Sequence, residues 1–410
     1  MVKPGNILWV VTTQWRAQAT RYAGDLNVRT PHLDRLAADS VDYTQAVTPH
    51  PFGPFARAAM LTGLPSPQNG VRDYFDPLPV KARTVAHDLA HTGYDTAFFG
   101  KWHLAPRDPA APLVGEVHAK TIVPGERRGG FRFWEGFEGG FLLNDPWLHG
   151  TRLPVPQKMV GYQSDVVCRR AADWIHDQPQ TAAQPWFAMV SLESPHPPYA
   201  ASAAGVAAVG EASLRLRPNV PLGGEAEARA RRELAGYYAH IEATDRAIGR
   251  LLARIPVSST WVIFTSVHGD MHGAHGLFRK GWPHEESIRV PLLVRAPGPP
   301  GAFGNKSLLP ASLVDLRAFT VAIAEGREPT FSSTAAFVSM PSVVTLPDQC
   351  DRRWRGIRTP TRKLILNDDG SPWLFHDLER DPFEMENLVA EPGRAPEIAA
   401  LRAQIEARPV

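Results

Sequence analysis

Cysteine is scarce: two in 410 residues, Cys168 and Cys350, cannot build a disulfide framework in a chain of this length. No apolar run approaches the ~20 residues that span a bilayer. The apolar stretch from Ile7 to Val11, reached directly from Met1-Val2-Lys3-Pro4-Gly5, is too short for the core of a secretion signal. Charge of one sign is also missing, since 44 Lys and Arg face 42 Asp and Glu for a formal net of +2. A nucleic-acid footprint of clustered basic residues is therefore not expected. Proline and glycine form no tracts and act as loop punctuation, and no internal repeat is evident. These absences lead us to expect a soluble, cytoplasmic protein with no membrane or nucleic-acid partner and a core large enough for one big domain and a smaller one.

Short β-rich runs alternate with helical patterns, which predicts the α/β class: a mostly parallel sheet flanked by helices. The strand candidates are residues 6–12, 95–100, 186–192, 260–266 and 290–295, and the longest helix candidate covers about 225–254. In that helix Leu234, Tyr238, Ile241, Ile248 and Leu252 return on one face. Beyond about residue 330 the pattern changes to a short antiparallel pair near 354–366 and a terminal helix near 395–407. The expected division is an α/β domain over 1–330 and a small α+β subdomain over 331–410.

Ligands of open α/β sheets bind outside the carboxyl ends of the strands, so the residues following each strand matter most. They are Thr13-Gln14, Lys101-Trp102-His103, Ser194-Pro195-His196 and Val267-His268. A helix opening near Pro54, with its free N–H groups, would add an anion site. An aromatic-rich insertion with Phe131, Phe133, Trp134, Phe137, Phe141 and Trp147 forms either a wall over the crevice or an anchor to the core.

Several stretches in order carry a family pattern. They are Asn6-Ile7-Leu8-Trp9-Val10-Val11-Thr12-Thr13-Gln14, Thr30-Pro31-His32-Leu33-Asp34-Arg35-Leu36, Arg57-Ala58-Ala59-Met60-Leu61-Thr62-Gly63, Gly100-Lys101-Trp102-His103, Ser194-Pro195-His196-Pro197-Pro198-Tyr199, and the run from Lys280-Gly281 to Glu285-Glu286-Ser287-Ile288-Arg289-Val290-Pro291. Together they resemble the sulfatases of the alkaline phosphatase superfamily, especially the phosphonate monoester hydrolases. The resemblance implies that superfamily's fold. It also implies a formylglycine nucleophile, made from cysteine in a Cys-x-Pro-x-Arg pattern, beside a divalent cation held by oxygen-rich side chains.

The pattern is broken where that chemistry resides. Counting back from Arg57 puts Gly53 at the nucleophile position, or Phe52 if Phe55 is a one-residue insertion. Cys168 and Cys350 lack the proline and arginine spacing and are expected to be packing residues. Thr13 and Val267 stand where the family has metal-binding carboxylates, leaving Gln14 and His268, with Asp270 as a remote substitute ligand. Neither metal nor cofactor is expected.

The anion-binding half of the pattern persists. By the resemblance, Arg57, Lys101, His103, His196 and Lys280 bind or protonate an oxyanion. Expected catalytic residues are thus His103, His196, His268, Lys101 and Lys280. Arg57, Lys101, Lys280 and Gln14 would bind substrate, together with Trp282, two residues beyond Lys280. Three functions fit: a repurposed, metal-independent enzyme using His/Lys acid–base chemistry on a small substrate with a sulfo, phospho or carboxyl group; an inactive pseudo-sulfatase binding an anionic ligand or partner; or an ester hydrolase or transferase with a substitute nucleophile among Thr12, Thr13 and Thr48. A homo-oligomer is compatible with all three.

Overall fold

A strand buried along its whole length must lie inside a sheet covered on both faces. Asn6–Thr12 is such a strand, with all seven residues buried, and it pairs in parallel with Trp186–Ser191 on one side and Thr260–Ser266 on the other. The protein, a computed structural model, is described for residues 5–178, 184–299, 304–331 and 334–408. Residues 1–4, which open the stretch considered as a secretion signal, lie outside the described residues.

In chain order the strands are β1 (Asn6–Thr12), β2 (Val41–Tyr43), β3 (Ala46–Val47), β4 (Asp95–Lys101), β5 (Phe133–Phe137), β6 (Trp147–Gly150), β7 (Gln157–Lys158), β8 (Trp186–Ser191), β9 (Thr260–Ser266), β10 (Leu292–Arg295), β11 (Asn305–Ser307) and β12 (Ala311–Ser312). Ten of them form one sheet in the order β11-β2-β10-β9-β1-β8-β4-β5-β6-β7. Its centre, β9-β1-β8-β4-β5, is parallel. Outside the centre β10, β6 and β7 run antiparallel to their neighbours, so the sheet is mixed, and the expected strand near 290–295 is one of the antiparallel ones.

The helices are α1 (Pro31–Ala38), α2 (Gly53–Thr62), α3 (Val85–His91), α4 (Glu116–Ala119), α5 (Gln163–His176), α6 (Glu225–Leu252), α7 (Glu285–Ile288) and α8 (Leu316–Ala324). Because strand side chains alternate between faces, β1 feeds two cores. Ile7, Trp9 and Val11 pack with α2, α3 and α8, while Leu8 and Val10 pack with α1, α5 and α6.

The C-terminal part is an antiparallel sheet of β13 (Ala336–Met340), β14 (Trp354–Arg358), β15 (Arg362–Asn367) and β16 (Pro372–Asp377), followed by α9 (Ala395–Glu406). One face of this sheet packs on α9 through Ile357, Leu364, Leu366 and Phe375. Val338, Met340, Trp354 and Ile365 join the main core, so the hydrophobic interior continues across residue 330. Among the described residues no helix is long and apolar enough to cross a membrane.

Candidate functional site

The parallel strands β1, β4, β8 and β9 end on one side of the sheet, and the turns that follow them meet the N-terminus of α2. There they surround a cavity of about 330 Å³ whose lining includes Thr13, Lys101, His103, His196, His268 and Lys280, with Phe52 and Gly53 from the start of α2. Five residues singled out from the sequence as catalytic are thus brought together.

Both lysines are buried in it. Lys101 Nζ bonds Glu193 Oε1 at 2.7 Å and stands 4.7 Å from the centre of the Phe141 ring. Burial lowers its pKa to about 8, although Glu193 opposes the shift. Lys280 Nζ donates to Gln14 Oε1 at 2.8 Å and lies 3.4 Å from His196 Nε2. With no carboxylate in contact, burial brings Lys280 down to about 7. An ammonium has three donors, so each lysine retains bonding capacity.

Partner chemistry fixes the three imidazole tautomers. Arg107 Nη1 lies 2.7 Å from His103 Nε2, and a guanidinium only donates, so His103 carries its proton on Nδ1. His268 Nδ1 faces the carbonyl of Gly269 at 2.9 Å, and His196 Nδ1 that of Pro197 at 2.8 Å. A carbonyl only accepts, leaving Nε2 of both rings as a lone pair. His103 Nδ1 and His268 Nε2 are buried without a hydrogen-bond partner. One is therefore an unused donor and the other an unused acceptor. Burial first, then the neighbouring cations, hold all three imidazoles well below their usual pKa, so they are neutral near pH 7.

Three expected substrate-binding residues do not line the cavity. Arg57 is buried beneath it, with Nη1 donating to Lys101 O at 3.0 Å and Ser191 Oγ at 2.6 Å, and Nη2 donating to Thr13 Oγ1 at 2.8 Å. Burial lowers its pKa to about 10, so it remains a cation that ties together the ends of β1, β4 and β8. Gln14 reaches the site only through Lys280, its amide nitrogen donating to Tyr199 Oη and Asp270 Oδ2. The Trp282 indole donates to Phe278 O and Asp348 O at 3.1 and 3.3 Å, and is held in the wall behind the rim. Of the aromatic insertion, Phe141 alone lines the cavity. Phe131 and Trp134 pack on Phe98, and Phe133 on Phe99.

Of the three candidate threonines, Thr13 lines the cavity and Thr12 and Thr48 do not. Thr12, Thr13 and Thr48 each donate their hydroxyl proton to a backbone carbonyl, of Thr265, Leu192 and His50 respectively. Cys168 and Cys350 are buried and unpaired. Sequence reasoning missed Glu193, Arg107 and the rim segment Leu346, Pro347, Asp348 and Gln349. A Glu directly after a buried strand was the available signal for the first, because a buried carboxylate requires a partner.

The sulfatase family model matches residues 5–324. The chain belongs to the sulfatase family. It is 31% identical to the ulvan-active sulfatase of Formosa agariphila, over 98% of this chain and 80% of that one. A solved structure from a glycosaminoglycan-metabolising locus of Bacteroides thetaiotaomicron superposes with a TM-score of 0.81 at 22% identity, covering 98% and 97% of the two chains. The phosphonate monoester hydrolase of Agrobacterium radiobacter does so with 0.72 at 22% identity, covering 98% and 96%.

In this sulfatase-family chain Phe52 caps α2 and Gly53 is its first helical residue. The Phe52 ring centre lies 5.2 Å from Lys280 Nζ and 6.5 Å from the centre of the His268 ring. A Cβ on Gly53 would instead meet His103 Nδ1 at 3.1 Å. Val267 is wholly buried in the main core. Asp270 is wholly buried and does not line the cavity. Its carboxylate accepts from Gln14, Tyr199 and the His272 backbone. Burial alone would raise the Asp270 pKa, but His272, Arg279 and these bonds outweigh it and hold the carboxylate ionised.

Proposed function

We propose that this sulfatase-family protein is a repurposed enzyme that needs neither formylglycine nor a metal, and that it performs acid–base chemistry on a small substrate bearing a sulfo, phospho or carboxyl group. Phe52 is then the residue at the nucleophile position, and its side chain offers no attacking atom. A hard cation does not fit the donors present. Thr13 Oγ1 already serves Leu192 O and Arg57, Gln14 Oε1 accepts from Lys280, and Val267 has no ligand atom.

The observation that carries the reading is one cavity lined by three neutral imidazoles and by two lysines whose pKa values fall near neutrality. Enzymes shift lysines in this direction by burial to work at neutral pH. The oxyanion lies against Lys101 and Lys280. His268 Nε2 takes a proton from the substrate, and the lysine ammoniums hold the negative charge left behind. The names of the ulvan-active sulfatase and the phosphonate monoester hydrolase agree with a sulfo or phospho group at this position.

Calorimetric titration of metal-stripped protein with inorganic phosphate, sulfate and phenylphosphonate tests the site. Binding is expected to persist without metal and to weaken about tenfold or more in Lys280→Ala. Because Lys280 and Lys101 are cations below their pKa values and neutral above them, affinity is expected to fall as the pH rises through about 7 and 8. Binding that requires added calcium, magnesium or manganese would overturn the reading.

A further inference from the structure

We infer that the body carrying the anion is apolar, an aryl or alkyl group and not a sugar ring. This rests on the anion site just proposed and concerns the wall above it. Tyr74, Leu113, Val114, Phe141, Leu346 and Pro347 form most of that wall. The Phe141 ring lies flat on His196, with centroids 4.4 Å apart and planes 5° from parallel, and so continues the apolar surface down to the charged floor. Val114, another lining residue, is 65% exposed and carries the apolar surface out to solvent.

The polar residues of the wall are already occupied. Arg279 donates to both carboxylate oxygens of Glu233 at 2.6 and 3.0 Å. Asp348 receives two bonds from Arg229 at 3.0 and 2.6 Å. Gln349 Oε1 accepts from the Lys280 backbone at 3.2 Å, and the Arg107 guanidinium lies over the Tyr74 ring, 4.5 Å from its centre. A sugar placed here would bury hydroxyls against carbon with few partners, each such hydroxyl weakening binding by about tenfold. An aromatic or alkyl body would gain from the same burial. A volume of about 330 Å³ is at the small end of ligand pockets and suits one ring with its anionic group.

Competition between matched phosphorus compounds decides the question: inorganic phosphate, phenylphosphonate and glucose 6-phosphate, titrated calorimetrically into the full-length protein. Phenylphosphonate is expected to bind at least tenfold more tightly than phosphate, and glucose 6-phosphate no more tightly than phosphate. In Val114→Asn, a change at an exposed position that folding tolerates, the phenylphosphonate affinity is expected to move toward that of phosphate. Equal affinities for all three, or tighter binding of glucose 6-phosphate, would overturn the apolar body while leaving the anion site intact. Failure of all three to bind would overturn the anion site itself.

Discussion

Arg57 keeps a position that the sequence resemblance assigns to the substrate, yet its guanidinium ends on Thr13, Ser191 and the Lys101 carbonyl. Truncating it removes three buried charge-assisted bonds, each worth ~1.5–3 kcal/mol. Arg57→Ala is therefore expected to cost about 3 kcal/mol or more of stability in urea melts. Lys280→Ala removes a buried lysine whose charge is disfavoured by burial, and is expected to impair anion binding with little loss of stability. Lys101, His103, His196, His268 and Lys280 were legible in the sequence because each follows, or by family pattern joins, a strand end. The true partners of Arg57, Gln14 and Trp282 were not, since the direction of a side-chain bond depends on which distant segment packs beside it. Glu193 and Arg107 were hidden for the same reason.

Among the elements, the junction of β4 and β8 aligns the site. Gly100 has φ +97°, and a Cβ there would lie 2.0 Å from Ser191 O. Only glycine lets the two strands close at this point, immediately before Lys101 and two residues before Glu193 on the partner strand. Gly100→Ala is expected to lower stability by more than about 2 kcal/mol and to loosen the Lys101–Glu193 pair, weakening anion binding as well. Urea melts and phosphate titration of the same variant read both effects. The β1 and β9 runs were legible to the residue because each has an apolar, β-rich centre bounded by polar residues. Their neighbours' directions were not, because a strand buried on both faces looks alike whether it pairs parallel or antiparallel. The aromatic insertion had two open readings from composition alone, and its packing assigns most of it to the core and Phe141 to the cavity.

At the scale of the whole molecule, the C-terminal sheet completes both core and cavity. It is fastened by a buried charged knot in which Lys363 meets Glu285 and Glu384, and Arg358 meets Glu285. His275, His284 and Glu384 lie close enough to suggest metal ligands, but Glu384 is already engaged by Lys363 and by the Glu285 backbone. Lys363→Met leaves two buried carboxylates under-compensated and is expected to cost roughly 3–5 kcal/mol, measured by thermal or urea unfolding. Burial alone would raise the Glu285 pKa, but Arg358 and Lys363 bring it down to about 2, below the usual glutamate value of 4.5. Its contribution is thus complete above 4.5 and is lost as the pH falls toward 2, so acid is expected to weaken this seam. Phe52, at the head of α2, has a consequence for biogenesis. On the proposed reading there is no thiol at that position to oxidise, and Cys168 and Cys350 are buried, so conversion of a cysteine to formylglycine is not expected. The intact mass is then expected to be the same from hosts with and without a formylglycine-generating enzyme.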